Sequence, residues 1–114
     1  TNPMLKELIQ DLKKLSNEKD VTLWKDIAVR LEKPLKNWPE VNLNRISRFT
    51  NEKETALIPG KVLSDGDLTK KVSIAAWSFS QKAEEKIKKA GGKTMTIEEL
   101  MKSNPDGKNI RILG

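Results

Sequence analysis

The sequence predicts an α+β fold in which two amphipathic helices precede a mixed region of short strands and helices. Three observations carry this. Leu5, Leu8, Ile9, Leu12 and Leu15 recur at helical spacing, and Leu23, Trp24, Ile27, Ala28 and Leu31 repeat the pattern before Pro34. From Thr55 the apolar residues shorten into runs bounded by turn signals, with Val72–Phe79 the strongest strand. The chain has 114 residues, a length suited to one compact domain. Within it, residues 1–34 read as a helical N-terminal layer, 35–40 as a basic connector and 41–114 as the mixed region.

In the first helix Asn2 is placed as N-cap and Pro3 at the first helical position, where its missing N–H costs nothing. Ser16–Asp20 reads as a polar break. Thr22 is placed as the cap of the second helix, which runs to about Lys33 and stops because Pro34 pushes the preceding residue out of the helical region. Lys33–Pro39, with two prolines, two lysines and Trp38, reads as an extended connector with an accessible tryptophan. A short helix capped by Asn42 follows, with Leu43, Ile46 and Phe49 inward and Arg45 and Arg48 sharing one flank. Ala56-Leu57-Ile58 and Lys61-Val62-Leu63 read as strand segments separated by a Pro59-Gly60 turn, and Ser64–Asp67 as a second turn. Val72–Phe79 is apolar on both faces, the mark of a central strand covered on two sides. Ser80 precedes a helix that buries Ala83, Ile87 and Ala90 and ends at Gly91-Gly92. Thr96-Ile97-Glu98-Glu99 is a capping box opening a last short helix. Asn104–Gly107 is a turn, and Ile110–Leu113 a terminal strand.

The composition narrows the chemistry. Lys+Arg number 22 against Asp+Glu 16, giving a formal net charge of +6. The chain has no Cys and no His, which removes disulfide scaffolds, zinc ribbons, thiol nucleophiles and catalytic triads. No apolar run approaches the roughly 18–20 residues that span a bilayer, and no signal-peptide pattern opens the chain, so the expected address is cytoplasmic. The pairs Glu84-Glu85, Glu98-Glu99 and Glu52/Glu54 sit beside lysines or at caps, whereas acid–base catalysis needs carboxyls facing across a cleft. Neither Pro59-Gly60-Lys61 nor Asp65-Gly66-Asp67 has phosphate-loop spacing, though Gly60 and Lys61 together offer one phosphate an amide and an ammonium. Trp77 and Phe79, two apart on one strand, lack the partner motif of an RNA-recognition sheet and read as core. No cofactor or metal is expected, and the chain is not expected to be an enzyme.

The positive signal is where the basic residues fall. Charges cancel over residues 1–20, whereas Lys25, Arg30, Lys33, Lys36, Arg45 and Arg48 face only Asp26, Glu32 and Glu40. Lys61–Lys93 holds a second excess. A proline-restricted cationic connector beside a tryptophan suits a groove or junction of folded nucleic acid. A plain solvated surface, a protein-interaction domain using the Leu5–Leu15 stripe, and a general double-stranded nucleic-acid binder remain open on these residues alone.

Four segments then occur in one order and spacing: Thr1-Asn2-Pro3, Ala28-Val29-Arg30-Leu31-Glu32-Lys33-Pro34 after Trp24, Val41-Asn42-Leu43-Asn44-Arg45-Ile46, and Ile58-Pro59-Gly60-Lys61-Val62-Leu63. Ala75-Ala76, Phe79-Ser80 and Asn104-Pro105 with Gly107 also fit. Together they resemble the archaeal and eukaryotic large-subunit ribosomal protein family L-eighteen-e, a relative of the bacterial L-fifteen family, in its archaeal form. The resemblance implies a non-enzymatic component of the large ribosomal subunit that binds its rRNA, beside neighbouring ribosomal proteins and as a monomer outside the ribosome. It implies an irregular superhelical arrangement of short strands and helices in the C-terminal region, in place of a regular sheet. It places Arg30, Lys33, Pro34, Asn42, Arg45, Gly60 and Lys61 against RNA; Lys36 and Arg48 join them on charge and spacing. The Leu35–Pro39 segment departs from the family, whose members often carry more arginine there.

Overall fold

The computed structural model describes residues 3–114; the expected Asn2 cap lies outside them. Helix α1 spans Pro3–Lys19 and buries Leu8 and Leu12, with Leu5, Ile9 and Leu15 half-buried beside them. The expected break at Ser16 is instead helix, because the Ser16 hydroxyl turns inward and donates to the Val21 carbonyl at 2.8 Å. The chain reverses at Asp20, whose φ is 55°. Helix α2, Thr22–Leu31, packs on α1. Thr22 is its first helical residue and not its cap: Val21 holds the cap position and makes no side-chain capping bond. Leu35–Asn37 then forms a single 3-10 turn closed by Asn37 and Trp38 amides on the Pro34 and Leu35 carbonyls, so the connector is coiled where an extended chain was expected.

Strand β1, Glu40–Asn42, leads straight into helix α3, Leu43–Phe49. Strand β2 is Thr55–Leu63, β3 Ser73–Phe79, helix α4 Gln81–Lys89, β4 Lys93–Thr96, helix α5 Ile97–Ser103 and β5 Ile110–Ile112. All pairings are parallel: β1 to β2, β2 to β3 and β3 to β4, with β5 on β2. The short strands β1 and β4 leave weak sequence signals, three and four residues against a helix-forming flank. The fold class is α+β as the sequence predicts. Where the resemblance implies no regular sheet, the strands join in one five-stranded parallel sheet; its irregularity is confined to one edge of β2, where β5 pairs with Thr55–Leu57 and β1 with Lys61–Leu63.

The junction of those two short strands explains Pro59-Gly60. These residues are not a turn: β2 runs through them, and the register with β3 shifts between Ile58 and Lys61. Two residues there oppose Trp77 alone, a β-bulge. Proline has no N–H to contribute to a ladder, so a bulge is one of the few places it fits inside a sheet. Gly60 is buried against Pro39, and a Cβ on it would lie 3.1 Å from the Pro39 carbonyl carbon, 3.2 Å from its Cδ and closer still to its oxygen. That oxygen accepts the Lys61 amide at 3.1 Å, which carries the connector into the sheet.

Side-chain alternation along the strands separates two cores. Leu57 and Ala75 face α1, α2 and α5, meeting Leu8, Leu12, Trp24, Ile27, Leu31, Ile97 and Leu100. Ala56, Ile58, Val62, Ile74 and Ala76 face α3 and α4, meeting Leu43, Ile46, Ala83 and Ile87. β3 is thus the covered central strand the sequence predicts. Ser80 caps α4 by accepting the Ala83 amide, and the Thr96–Glu99 capping box is complete. Among the described residues no helix is long and apolar enough to cross a membrane.

Candidate nucleic-acid interface

The residues expected to meet an anion gather along the β1 edge of the sheet, in two groups on opposite faces. The connector that enters β1 carries the first. Trp38 is half-buried, its ring set edge-on to Trp77 at 5.5 Å, and its Nε1–H donates to the Lys33 carbonyl at 2.9 Å. The tryptophan is therefore an anchor and not the accessible ring the sequence reading expects. With Trp38 turned inward, Lys33, Pro34, Leu35 and Lys36 are exposed. Lys36 and Lys61 line one shallow groove with Trp38 and Trp77 at its floor. Across β2 and β1, Lys61 stands opposite Glu40.

Arg30 belongs to the same neighbourhood but is already engaged. Its Nε donates to Asp26 Oδ1 at 3.1 Å and its Nη1 reaches the Gly114 carbonyl at 3.4 Å. A Cβ on Gly114 would meet the Pro39 ring, so Arg30, Gly114 and the connector are contiguous.

The second group leaves β1 on α3. Leu43 and Ile46 seat this helix on the α3/α4 core, so the sheet separates Arg45 and Arg48 from the Lys36–Lys61 groove. Their charge and the three-residue spacing suggest a flank beside the Arg30–Lys36 connector; the structure puts them on the other face of the same edge. The reason is the chain path: β1 is only three residues long, and the helix after it crosses to the far side. Arg45 and Arg48 are exposed, and neither is among the ion pairs of the described residues. Glu40, the carboxylate nearest Arg45 in sequence, forms no pair with it among those pairs. Asn42 is half-buried at the α3 N-cap, yet its Oδ1 accepts the Asp65 amide at 3.3 Å and makes no bond to the helix. It ties the β2–β3 loop to α3, and Asn44 N donates to Asp65 O at 3.0 Å beside it.

Sequence reasoning missed Phe49. The sequence places it inward, but it stands 49% exposed with the Arg48 guanidinium carbon 5.5 Å from its ring centroid. The signal lay in the helical period: each three-residue step drifts about 60° round the axis, so Phe49 lies about 120° from Leu43 and leaves the face that Leu43 and Ile46 bury. Some lysines that add to the basic count are not free for a ligand. Lys86 Nζ donates to the Ser64 and Gly66 carbonyls at 2.8 and 3.1 Å, and Lys70 Nζ to the Thr50 carbonyl at 3.0 Å. These are loop latches inside the fold.

One carboxylate is visibly tuned. The Asn51 amide donates to Glu54, and Arg111 pairs with it at 3.1 Å, so its pKa lies below the ordinary glutamate value. This pins β5 to the start of β2, at the opposite end of that edge from β1.

Exposed cations without carboxylate partners, carried on rigid segments at both ends of one edge strand, define the kind of surface that meets a phosphate backbone. The whole chain, residues 1–114, matches the family described as ribosomal protein 60S L18 and 50S L18e. The chain belongs to this family. Among its relatives are the large ribosomal subunit proteins eL18 of Methanoregula boonei, 50% identical, Methanospirillum hungatei, 49%, and Methanothermobacter thermautotrophicus, 46%. Each alignment runs over 113 residues, 99% of this chain and 93% of the relative.

Proposed function

We propose that this protein is a structural, non-enzymatic constituent of the large ribosomal subunit, residing there in the cytoplasm and binding large-subunit rRNA through the basic β1 edge. The family match over the full 114 residues carries the reading. The exposed side chains of Lys33, Lys36, Lys61, Arg45 and Arg48 are the groups that neutralise phosphates. Arg30 joins them by exchanging its Asp26 partner for a phosphate. Pro34, Asn42 and Gly60 act on RNA through shape: they fix the connector, the α3–loop junction and the Pro39 contact that present those cations. The protein is a monomer outside the subunit and meets neighbouring ribosomal proteins within it. Electrostatic binding of this kind weakens with salt, each phosphate contact adding roughly 0.7–0.9 to the slope of log K against log salt. The test is sedimentation of tagged protein from its own cells: it should travel with the large subunit and stay through a moderate-salt wash. Protein that sediments free of subunits, or rRNA affinity that is flat with salt, would overturn the reading.

A further inference from the structure

We propose that Phe49 is a stacking platform for one unpaired base of the bound RNA, a contact that rests on the rRNA-binding reading and deepens it. The ring is half exposed at the end of α3 and is not among the buried or partly buried residues that form the two apolar cores. Arg48 lies over it at 5.5 Å, and Asn44, Arg45, Arg48 and Phe49 together line one shallow depression. An exposed aromatic ordinarily needs an apolar partner, but this one is ringed by cations and an amide, with no carboxylate paired to either arginine among the described residues. A nucleotide meets both demands: its base offers a flat π face to the phenyl ring, and its phosphate lies within reach of a guanidinium fork. Folded RNA displays such bases in loops and bulges, where aromatic and guanidinium planes hold them. A protein partner would need an apolar side chain and acidic groups at the same spot. Stacking also survives the charge screening that weakens the arginines, so it adds affinity that salt does not remove.

Two features distinguish a stacked base from generic contact. Phe49→Tyr keeps the ring, whereas Phe49→Leu keeps apolar bulk without a π face. Removing the ring removes no phosphate contact. The experiment uses the full chain and deproteinised large-subunit rRNA from the same organism, with affinity measured across salt and nucleotide flexibility mapped by 2′-hydroxyl acylation. Phe49→Ala and Phe49→Leu should each bind about five- to 150-fold more weakly, with the parent's salt slope. Phe49→Tyr should bind as the parent does, and one unpaired nucleotide should be rigidified by the parent and Phe49→Tyr alone. Leucine binding as well as phenylalanine, or all variants binding equally while the parent retains specific, salt-dependent affinity, would overturn the stacking role and leave rRNA binding standing. Variants that bind free rRNA normally but dissociate from the assembled subunit would overturn it in favour of a protein neighbour. A parent chain with no specific rRNA affinity would instead remove the functional reading itself. Melting curves of each free variant accompany the binding data; the exposed position predicts unchanged folding.

Discussion

Gly60→Ala separates two roles for the residue: a backbone amide for phosphate, or a space for Pro39. The added methyl keeps the amide and fills the space. It would sit 3.1 Å from the Pro39 carbonyl carbon and 3.2 Å from Cδ, with the oxygen nearer, so connector and sheet must part. Overpacking of this kind costs about 1–3 kcal/mol. Loss of the Lys61 N–H to Pro39 O bond adds about 0.5–1.5 kcal/mol. The lower entropy of the unfolded alanine chain returns about 0.4–1 kcal/mol. The central values leave a net loss of about 2 kcal/mol, within bounds of about 0.5 and 4 kcal/mol. At about 2.1 cal/mol/K per residue, a chain of this size shifts its Tm by about 4 °C per kcal/mol, so Gly60→Ala should melt about 8 °C lower. Circular-dichroism melts of the parent, Gly60→Ala and the exposed-site control Lys61→Ala supply the comparison, with rRNA affinity taken at a temperature where all are folded. Lys61→Ala should leave the Tm within about 2 °C, as surface changes do, and weaken binding. A Gly60→Ala protein that melts with the parent but loses rRNA would refute the packing argument and assign the glycine to phosphate.

The remaining expectations address the core, the edge and the pH response. Leu12 of α1 is fully buried in the core shared with α2 and α5, so Leu12→Ala should cost about 2–5 kcal/mol in denaturant unfolding; a smaller loss, with RNA binding abolished in folded protein, would make α1 the reader. Arg45→Lys keeps its charge but loses the planar fork, and should weaken rRNA binding more than Lys82→Ala, which removes a charge from the outer face of α4. Equal affinity of Arg45→Lys and the parent would refute the fork. Glu54 has a lowered pKa in the folded chain, so the stability it adds is fully present above the ordinary value of 4.5 and is lost as pH falls through the lower folded-state value. The parent's Tm should therefore fall across that acidic window by more than that of Glu54→Gln, and parallel curves would show that the Asn51 and Arg111 contacts contribute nothing.

The sequence by itself determined much of this protein. The leucine stripe of α1, the apolar face of α2, the Ser80 cap and the Thr96–Glu99 box are local patterns: backbone period and a side chain reaching an amide three residues on settle them without distant contacts. Its motif spacing also carried the family. What only the tertiary structure decided depends on partners far along the chain. The strands β1 and β4 exist because β2 and β3 offer them a parallel edge, and no local signal encodes that pairing. Pro59-Gly60 reads as a turn until Pro39, twenty residues earlier, fills the place of a glycine side chain and turns the pair into a bulge. The two aromatics flanking the basic edge exchanged roles for the same reason. Trp38 found Trp77 and the Lys33 carbonyl and was drawn inward, whereas Phe49 lies off the buried face of α3, its ring half in solvent beside two arginines that join none of the ion pairs among the described residues. Composition set how much positive charge the chain carries, but the three-residue length of β1 put half of the candidate site on each side of the sheet.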